Sequence, residues 1–316
     1  MRVSFVIPCY RSEHTIGQVV TEINKAMTER YDYEIILVND CSPDNTFQVI
    51  EKLCMEQDNI TGVNLAKNFG QHSALMAGFH YVSGDIIVCM DDDGQTPPCE
   101  VHKLLKALED EQTDVVYAEY SHKKHSVFRN MGSMLNSKMA QYLIGKPKDL
   151  YVSSYFAAKR FIIDEIISYK NPYPYVIGLV LRSTKNIVNV EVEHRERQEG
   201  NSGYTMKKLI ALWFNGFTAF SVKPLRVATV VGMAFSVVGF LYLIYTIINK
   251  FLNPNVPLGW SSTMAVLLVV GGCILFMLGL IGEYIGRIYI SLNNSPQYVV
   301  KKVVRKEETR DEGHAD

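Results

Sequence analysis

Asp85-Ile-Ile-Val-Cys-Met-Asp-Asp-Asp-Gly-Gln-Thr-Pro-Pro98 decides how the rest of the chain is read. Its first half is a short, unbroken apolar run of the length of a buried strand. Its second half is three adjacent acids, followed by a Pro pair that suits the first turn of a helix. Neighbouring carboxylates at a strand end repel one another unless a cation sits among them. Oxygen donors of this kind suit Mg²⁺ or Mn²⁺, ions that also bind a diphosphate. If the chain stays extended here, Asp91, Asp93 and Gln95 point one way and Asp92 the other. An acidic surface loop would carry the same letters, so the surroundings have to decide.

Three earlier segments repeat the pattern. Val3–Ile7, Glu34–Val38 and Gly62–Leu65 are apolar runs, and amphipathic stretches follow at Thr15–Met27, Asp44–Glu56, Ser73–Tyr81 and Glu100–Leu108. Strand–helix alternation predicts a mainly parallel α/β sheet with helices on its faces. In such sheets the ligand lies beyond the carboxyl ends of the strands. There the chain places Ile7-Pro-Cys-Tyr-Arg-Ser-Glu13, Leu37-Val-Asn-Asp-Cys-Ser-Pro-Asp-Asn-Thr46, Ala66-Lys-Asn-Phe-Gly-Gln71 and the acid cluster. Four polar strand ends in succession, carrying acids and Lys67, point to a nucleoside diphosphate.

The C-terminal part is made for a different solvent. Val227–Ile248 and Phe251–Gly282 carry no ionisable side chain apart from cysteine and tyrosine. An apolar helix of about 20 residues spans a hydrocarbon core. Two transmembrane helices are expected, about 227–249 and 262–285, the alternative being a pair of buried core helices. Lys207, Lys208, Lys223 and Arg226 precede the first span, and Arg287, Lys301, Lys302, Arg305 and Lys306 follow the second. The connecting loop has only Lys250. The positive-inside rule then puts both termini in the cytoplasm, for a multi-pass protein of the cell membrane. Residues 1–200 form the cytosolic domain, 201–226 an amphipathic interfacial segment, 227–285 the hairpin and 286–316 a basic tail with a disordered end. A net charge of −1 over 316 residues excludes a global basic field for nucleic acid. The six cysteines are scattered, without a CxxC pair, which reads as reduced thiols rather than a disulfide frame or a zinc site.

With these motifs in order, residues 1–200 resemble the A-type fold of inverting family-two glycosyltransferases. The whole chain resembles their polyprenyl-phosphate branch, the bactoprenol glucosyltransferase and dolichol-phosphate mannose synthase group. Val6–Tyr10 is similar to the family's opening strand, Val38–Thr46 to its DDxSxDxT turn, Lys67–Gly78 to RNxGxxxAxxxG, and Met90–Pro98 to DxDxQxPP. The resemblance implies a metal-dependent transferase that moves a sugar from a nucleotide-sugar, UDP favoured, to a polyprenyl phosphate in the bilayer, with inversion. It implies that Pro8, Tyr10, Glu13 and Asp40 frame the base and ribose, with Lys67 and Asp92 on the donor side. Asp91, Asp93 and Gln95 would sit at the metal and diphosphate. Arg129 and Ser133 match an RxxxS pattern, and Arg197 and Ser202 an RxxGxSxY loop, all directed to phosphate. Homo-oligomers through the membrane helices are consistent with it. A transferase acting on a non-lipid glycan and a non-catalytic nucleotide-sugar scaffold are the alternatives.

Three positions depart from the pattern. Ser154 stands where relatives place an acid, Asn39 replaces the first acid of the turn motif, and Gly203 replaces a common lysine, with Lys207 or Lys208 as substitutes. A phosphate acceptor is already anionic at neutral pH, so attack needs no strong base, and the loss at Ser154 is tolerable.

Overall fold

The computed structural model describes residues 1–27, 30–120, 146–193, 195, 223–252, 259–293 and 295–306. They divide into two units, 1–204 with 295–316, and 205–294.

The first unit is built on one eight-stranded sheet: β1 (Arg2–Cys9), β2 (Asp32–Asn39), β3 (Ile60–Leu65), β4 (Ile86–Cys89), β5 (Val115–Tyr120), β6 (Phe156–Lys159), β7 (Ile187–Val192) and β8 (Val300–Val304), in the order β7-β5-β6-β4-β1-β2-β3-β8. The centre, β4-β1-β2-β3, is parallel throughout. Its strands read as continuous apolar runs because helices cover both faces; β1 is buried from Val3 to Cys9. Strand β6 runs antiparallel between β4 and β5, and β8 antiparallel to β3. The sheet is thus mixed at its flanks and parallel where the site lies.

Helices α1 (Ile16–Met27), α2 (Thr46–Glu56), α3 (Gln71–Phe79) and α4 (Val101–Leu108) follow the first four strands, as the alternation predicts, with a 3₁₀ turn at Pro98–Glu100 before α4. Helices α5 (Arg160–Ile167) and α6 (Val176–Ser183) complete the unit. Helix α3 lies directly on the sheet: a Cβ on Gly78 would sit 2.5 Å from Val6 Cγ1 and 3.0 Å from Val38 Cγ2. Those valines are fully buried and have nowhere to move. Gly78→Ala is therefore expected to lower the unfolding free energy by about 1–3 kcal/mol, read from the denaturant midpoint.

Strand β8 follows the second unit in sequence and returns to the first. The sequence reading treats 286–316 as a basic tail; the structure seats Val300–Val304 as an edge strand. A five-residue run with two lysines is too short and too charged to announce a strand, and only the open edge of β3 makes it one. Ion pairs from Lys302 to Glu51 (2.6 Å) and from Lys306 to Asp58 (2.7 Å) flank it, and its lysines suit an exposed edge.

The second unit contains α7 (Lys223–Leu252, 30 residues) and α8 (Trp260–Leu292, 33 residues). At 1.5 Å per residue each exceeds the roughly 30 Å of a hydrocarbon core. The helices approach each other at Gly232 of α7 and Met277 of α8, where an added Cβ would stand 3.5 Å from Met277 Cε. The expected spans, 227–249 and 262–285, fall inside these helices. Among the described residues one stretch, Val269–Ile290 with mean hydropathy 1.9, is long and apolar enough to cross a membrane, and Gly232–Tyr242 is a shorter apolar piece. Residues 201–222 of the expected interfacial segment lie outside the described residues.

Candidate active site

The parallel strands β4, β1, β2 and β3 bring their four carboxyl-terminal loops to one edge of the sheet, and hydrogen bonds between loops knit them together. Asp40, at the end of β2, is 4% exposed. Its two carboxylate oxygens accept the backbone N–H groups of Phe69 (2.7 Å) and Gly70 (2.8 Å), and its own N–H donates to Cys9 O. Burial raises its pKa, and the two amide donors offset this in part. The carboxylate expected at the base thus holds the Lys67–Gly70 loop in place. Glu13 behaves likewise: its Oε2 accepts Asn45 N at 3.0 Å. Asp44 receives Ser42 Oγ and Thr46 Oγ1, while Ser42 Oγ accepts Arg11 N and Thr46 Oγ1 accepts Ser12 N. Arg11 (φ +58°) and Cys41 (φ +50°) both take the left-handed conformation, a backbone cost that these hydrogen bonds hold in place.

Pro8 is buried at the end of β1, whereas Tyr10 is 44% exposed beneath the Arg11 guanidinium, 5.7 Å from its ring centroid. Lys67 Nζ lies 4.9 Å from the Phe69 ring centroid. Asn39, in place of an acid, donates through Nδ2 to Oδ1 of its cross-strand neighbour Asn64 at 2.8 Å.

The acid cluster separates into different environments. Asp91 accepts Gln71 Nε2 at 2.8 Å on one oxygen and the Ser154 hydroxyl on the other. Ser154, the departure noted in the sequence, thus orients a site carboxylate. Asp92 turns to β1 and accepts Tyr10 N at 2.9 Å; burial, with Asp91 and Asp93 nearby, pushes its pKa up to about 6. Asp93 Oδ1 accepts Gln95 N at 3.1 Å. The expectation of an extended 91–95 stretch fails at Gly94, whose φ of +70° bends the chain between Asp93 and Gln95. Asp92 takes a partner on β1, whereas Asp91 takes Gln71 and Ser154.

Among the described residues no three His, Cys, Asp or Glu side chains converge as a metal cage. Asp91 and Asp93 bring two carboxylates to this strand end. That set fits a Mg²⁺- or Mn²⁺-type ion, which takes few protein oxygens and completes its shell with phosphate and water. Arg129, Ser133, Arg197, Ser202 and Lys207 lie outside the described residues. Sequence reasoning missed the parts of Gln71, Ser42, Asp44 and Thr46. All four stand inside quoted motifs, but only the pairing of loops shows what they hold.

Beside Gln71, His72 packs edge-on against Tyr175 with centroids 5.0 Å apart, and its Nδ1 is buried without a partner among the described residues. Burial lowers its pKa from the usual 6.5 to about 4. Between those values the unfolded chain takes the proton and the folded chain refuses it. Stability is therefore full above pH 6.5, falls as pH drops, and levels off below about 4, with a cost of up to about 3 kcal/mol. His72→Phe should make the stability–pH curve shallower across that window; an unchanged slope would place the effect elsewhere.

A mixed α/β domain whose parallel centre gathers acids at its strand ends, followed by two long helices, is the architecture of a sugar transferase with a C-terminal helical hairpin. The chain belongs to glycosyl transferase family 2, whose model matches residues 4–167. A second model, the GtrB C-terminal hairpin, matches 223–288. The chain is 33% identical over 307 residues to undecaprenyl-phosphate 4-deoxy-4-formamido-L-arabinose transferase of Proteus mirabilis (strain HI4320), covering 96% of this chain and 94% of that protein. It is 34% identical over 314 residues to the protein of the same name from Yersinia pestis (strain Pestoides F), covering 98% and 95%. Among solved structures, the fold is similar to glucosyl-3-phosphoglycerate synthase of Mycobacterium tuberculosis in complex with Mn²⁺ and UDP-glucose. That likeness has a TM-score of 0.52 and 20% identity, over 67% of this chain and 74% of that one.

Proposed function

We propose that the chain transfers a sugar from a nucleotide-sugar, UDP favoured, to undecaprenyl phosphate or a similar polyprenyl phosphate at the cytoplasmic face of the cell membrane. The observation that carries this reading is the full-length likeness to undecaprenyl-phosphate transferases, which includes the hairpin as well as the catalytic domain. A polyprenyl chain leaves the bilayer only at about 0.8 kcal/mol per CH₂, so the enzyme has to go to the lipid. The lysines and arginines before the first expected span and after the second support a hairpin with both ends cytoplasmic. On this reading the domain boundaries follow the sequence expectation, except that 300–304 belongs with the catalytic sheet.

The donor lies across the strand ends. Pro8, Tyr10 and Glu13 line its nucleoside end, Asp40 shapes the Lys67–Gly70 wall, and Asp91, Asp93 and Gln95 face its diphosphate. Mg²⁺ or Mn²⁺ held there would supply Lewis-acid stabilisation of the departing diphosphate. Ser154 and Gln71 fix Asp91 against rotation. Arg129 and Arg197 would align donor and acceptor phosphates that otherwise repel. The lipid phosphate oxygen attacks the anomeric carbon and the nucleoside diphosphate leaves from the opposite face, inverting configuration.

The test incubates purified full-length protein in lipid with undecaprenyl phosphate, Mg²⁺ or Mn²⁺, and labelled UDP- and GDP-sugars. UDP-4-deoxy-4-formamido-L-arabinose and UDP-glucose belong in the panel. Label entering the lipid phase from one donor, abolished by EDTA, is expected. Nucleotide release without lipid product would overturn the acceptor, and absence of both would overturn the transferase reading.

A further inference from the structure

The residues just after β7 carry an inference that rests on the donor-site reading above. Glu193 N donates to Glu100 Oε2 at 3.2 Å, an oxygen that also receives Lys103 Nζ. Two residues on, Arg195 N donates to the Gln95 carbonyl at 2.9 Å. The Arg195 guanidinium meets Glu22 Oε2 on α1 at 2.7 Å, while Gln18 Nε2 donates to the other oxygen of Glu22 at 2.9 Å. This short strap therefore touches α1, the acid loop and the turn before α4.

The acid loop needs such support. Gly94 bends at φ +70°, and a Cβ there would stand in open space with nothing within 4 Å. Backbone hydrogen bonds secure the residue that follows the bend. Gln95 N–H is on Asp93 Oδ1 and Gln95 C=O is on Arg195 N, so both backbone groups of Gln95 are engaged between a candidate metal-side carboxylate and the strap. We infer that the Arg195–Glu22 pair is a positioning device: it latches the strap to α1 and so holds Asp93 and Gln95 in the geometry that receives the metal-bound diphosphate. Arg195 acts through Gln95 and does not touch the substrate.

The test uses full-length Glu22→Gln, Arg195→Gln, Arg195→Lys and the double Gln variant. Three quantities are read: calorimetric affinity for Mn²⁺·UDP, steady-state kinetics, and hydrogen–deuterium exchange of the peptide covering 91–98. The pair is partly exposed, so each Gln substitution should weaken Mn²⁺·UDP binding about five-fold. Donor KM should rise in parallel, kcat should stay within about two-fold, and exchange over 91–98 should quicken. The double variant should be no worse than either single one, and Arg195→Lys should recover part of the loss. A far larger loss in Arg195→Gln than in Glu22→Gln would overturn the inference, because it would put the guanidinium on the ligand. Unchanged affinity and exchange in Glu22→Gln would overturn it too. If the wild-type protein fails to bind Mn²⁺·UDP, the donor reading falls, and exchange alone judges the strap: faster in Glu22→Gln supports it, unchanged refutes it.

Discussion

Asp93→Asn should cut sugar transfer by about 10²–10³ while leaving the unfolding midpoint where it was. Asparagine keeps an oxygen for the Gln95 N–H that Asp93 accepts, so the loop retains its bend and only the charge is lost. In the proposed donor orientation that charge faces the diphosphate, where negative charge grows as the sugar departs. Losing it removes about 3–4 kcal/mol of stabilisation that exists mainly in the transition state. The neighbouring residue supplies the control. Asp92 is turned toward Tyr10, whose N–H it accepts, and burial raises its pKa to about 6. Asp92→Asn should therefore cost less than about ten-fold in the same assay. Equal losses at both positions would mean that the cluster acts as an undivided patch of charge.

The second large effect is expected at Asp40. Asp40→Ala strips acceptors from two amides, Phe69 N and Gly70 N, at a site that is 4% exposed. Unpaired buried N–H groups cost about 1–3 kcal/mol each, so a loss of about 2–4 kcal/mol in unfolding free energy is expected after relaxation. Function suffers through the same loop, because Gln71, at its end, orients Asp91. Donor KM should rise in Asp40→Ala even at temperatures where the protein is fully folded. Asp40→Asn can satisfy only one of the two amides and should fall between. A variant with raised KM and unaltered stability would instead return Asp40 to direct contact with the base.

The central fold was legible because each of its physical causes is local. Strands buried on both faces must be apolar without interruption, and the helices between them must be amphipathic, so β1 to β4 and α1 to α4 stand within a few residues of where their letters place them. The same holds for the acid cluster. A strand that ends in three carboxylates before a Pro pair states its chemistry without any partner in view. The long uncharged runs of α7 and α8 likewise need no tertiary context to be noticed.

What the letters could not carry were matters of pairing. Asp40 reads as a ligand-binding acid, and only the fold shows two amides from another loop on its oxygens. Ser154 reads as a missing acid, and only the antiparallel entry of β6 beside β4 brings its hydroxyl to Asp91. Val300–Val304 reads as a basic tail until the unpaired edge of β3 supplies its hydrogen bonds. Composition and periodicity are properties of one segment, and so the sequence by itself determined the first four strands and helices, the acid-lined strand end and the long apolar runs of α7 and α8. Which carboxylate braces which loop depends on groups tens of residues away, and that was settled only when the chain closed on itself.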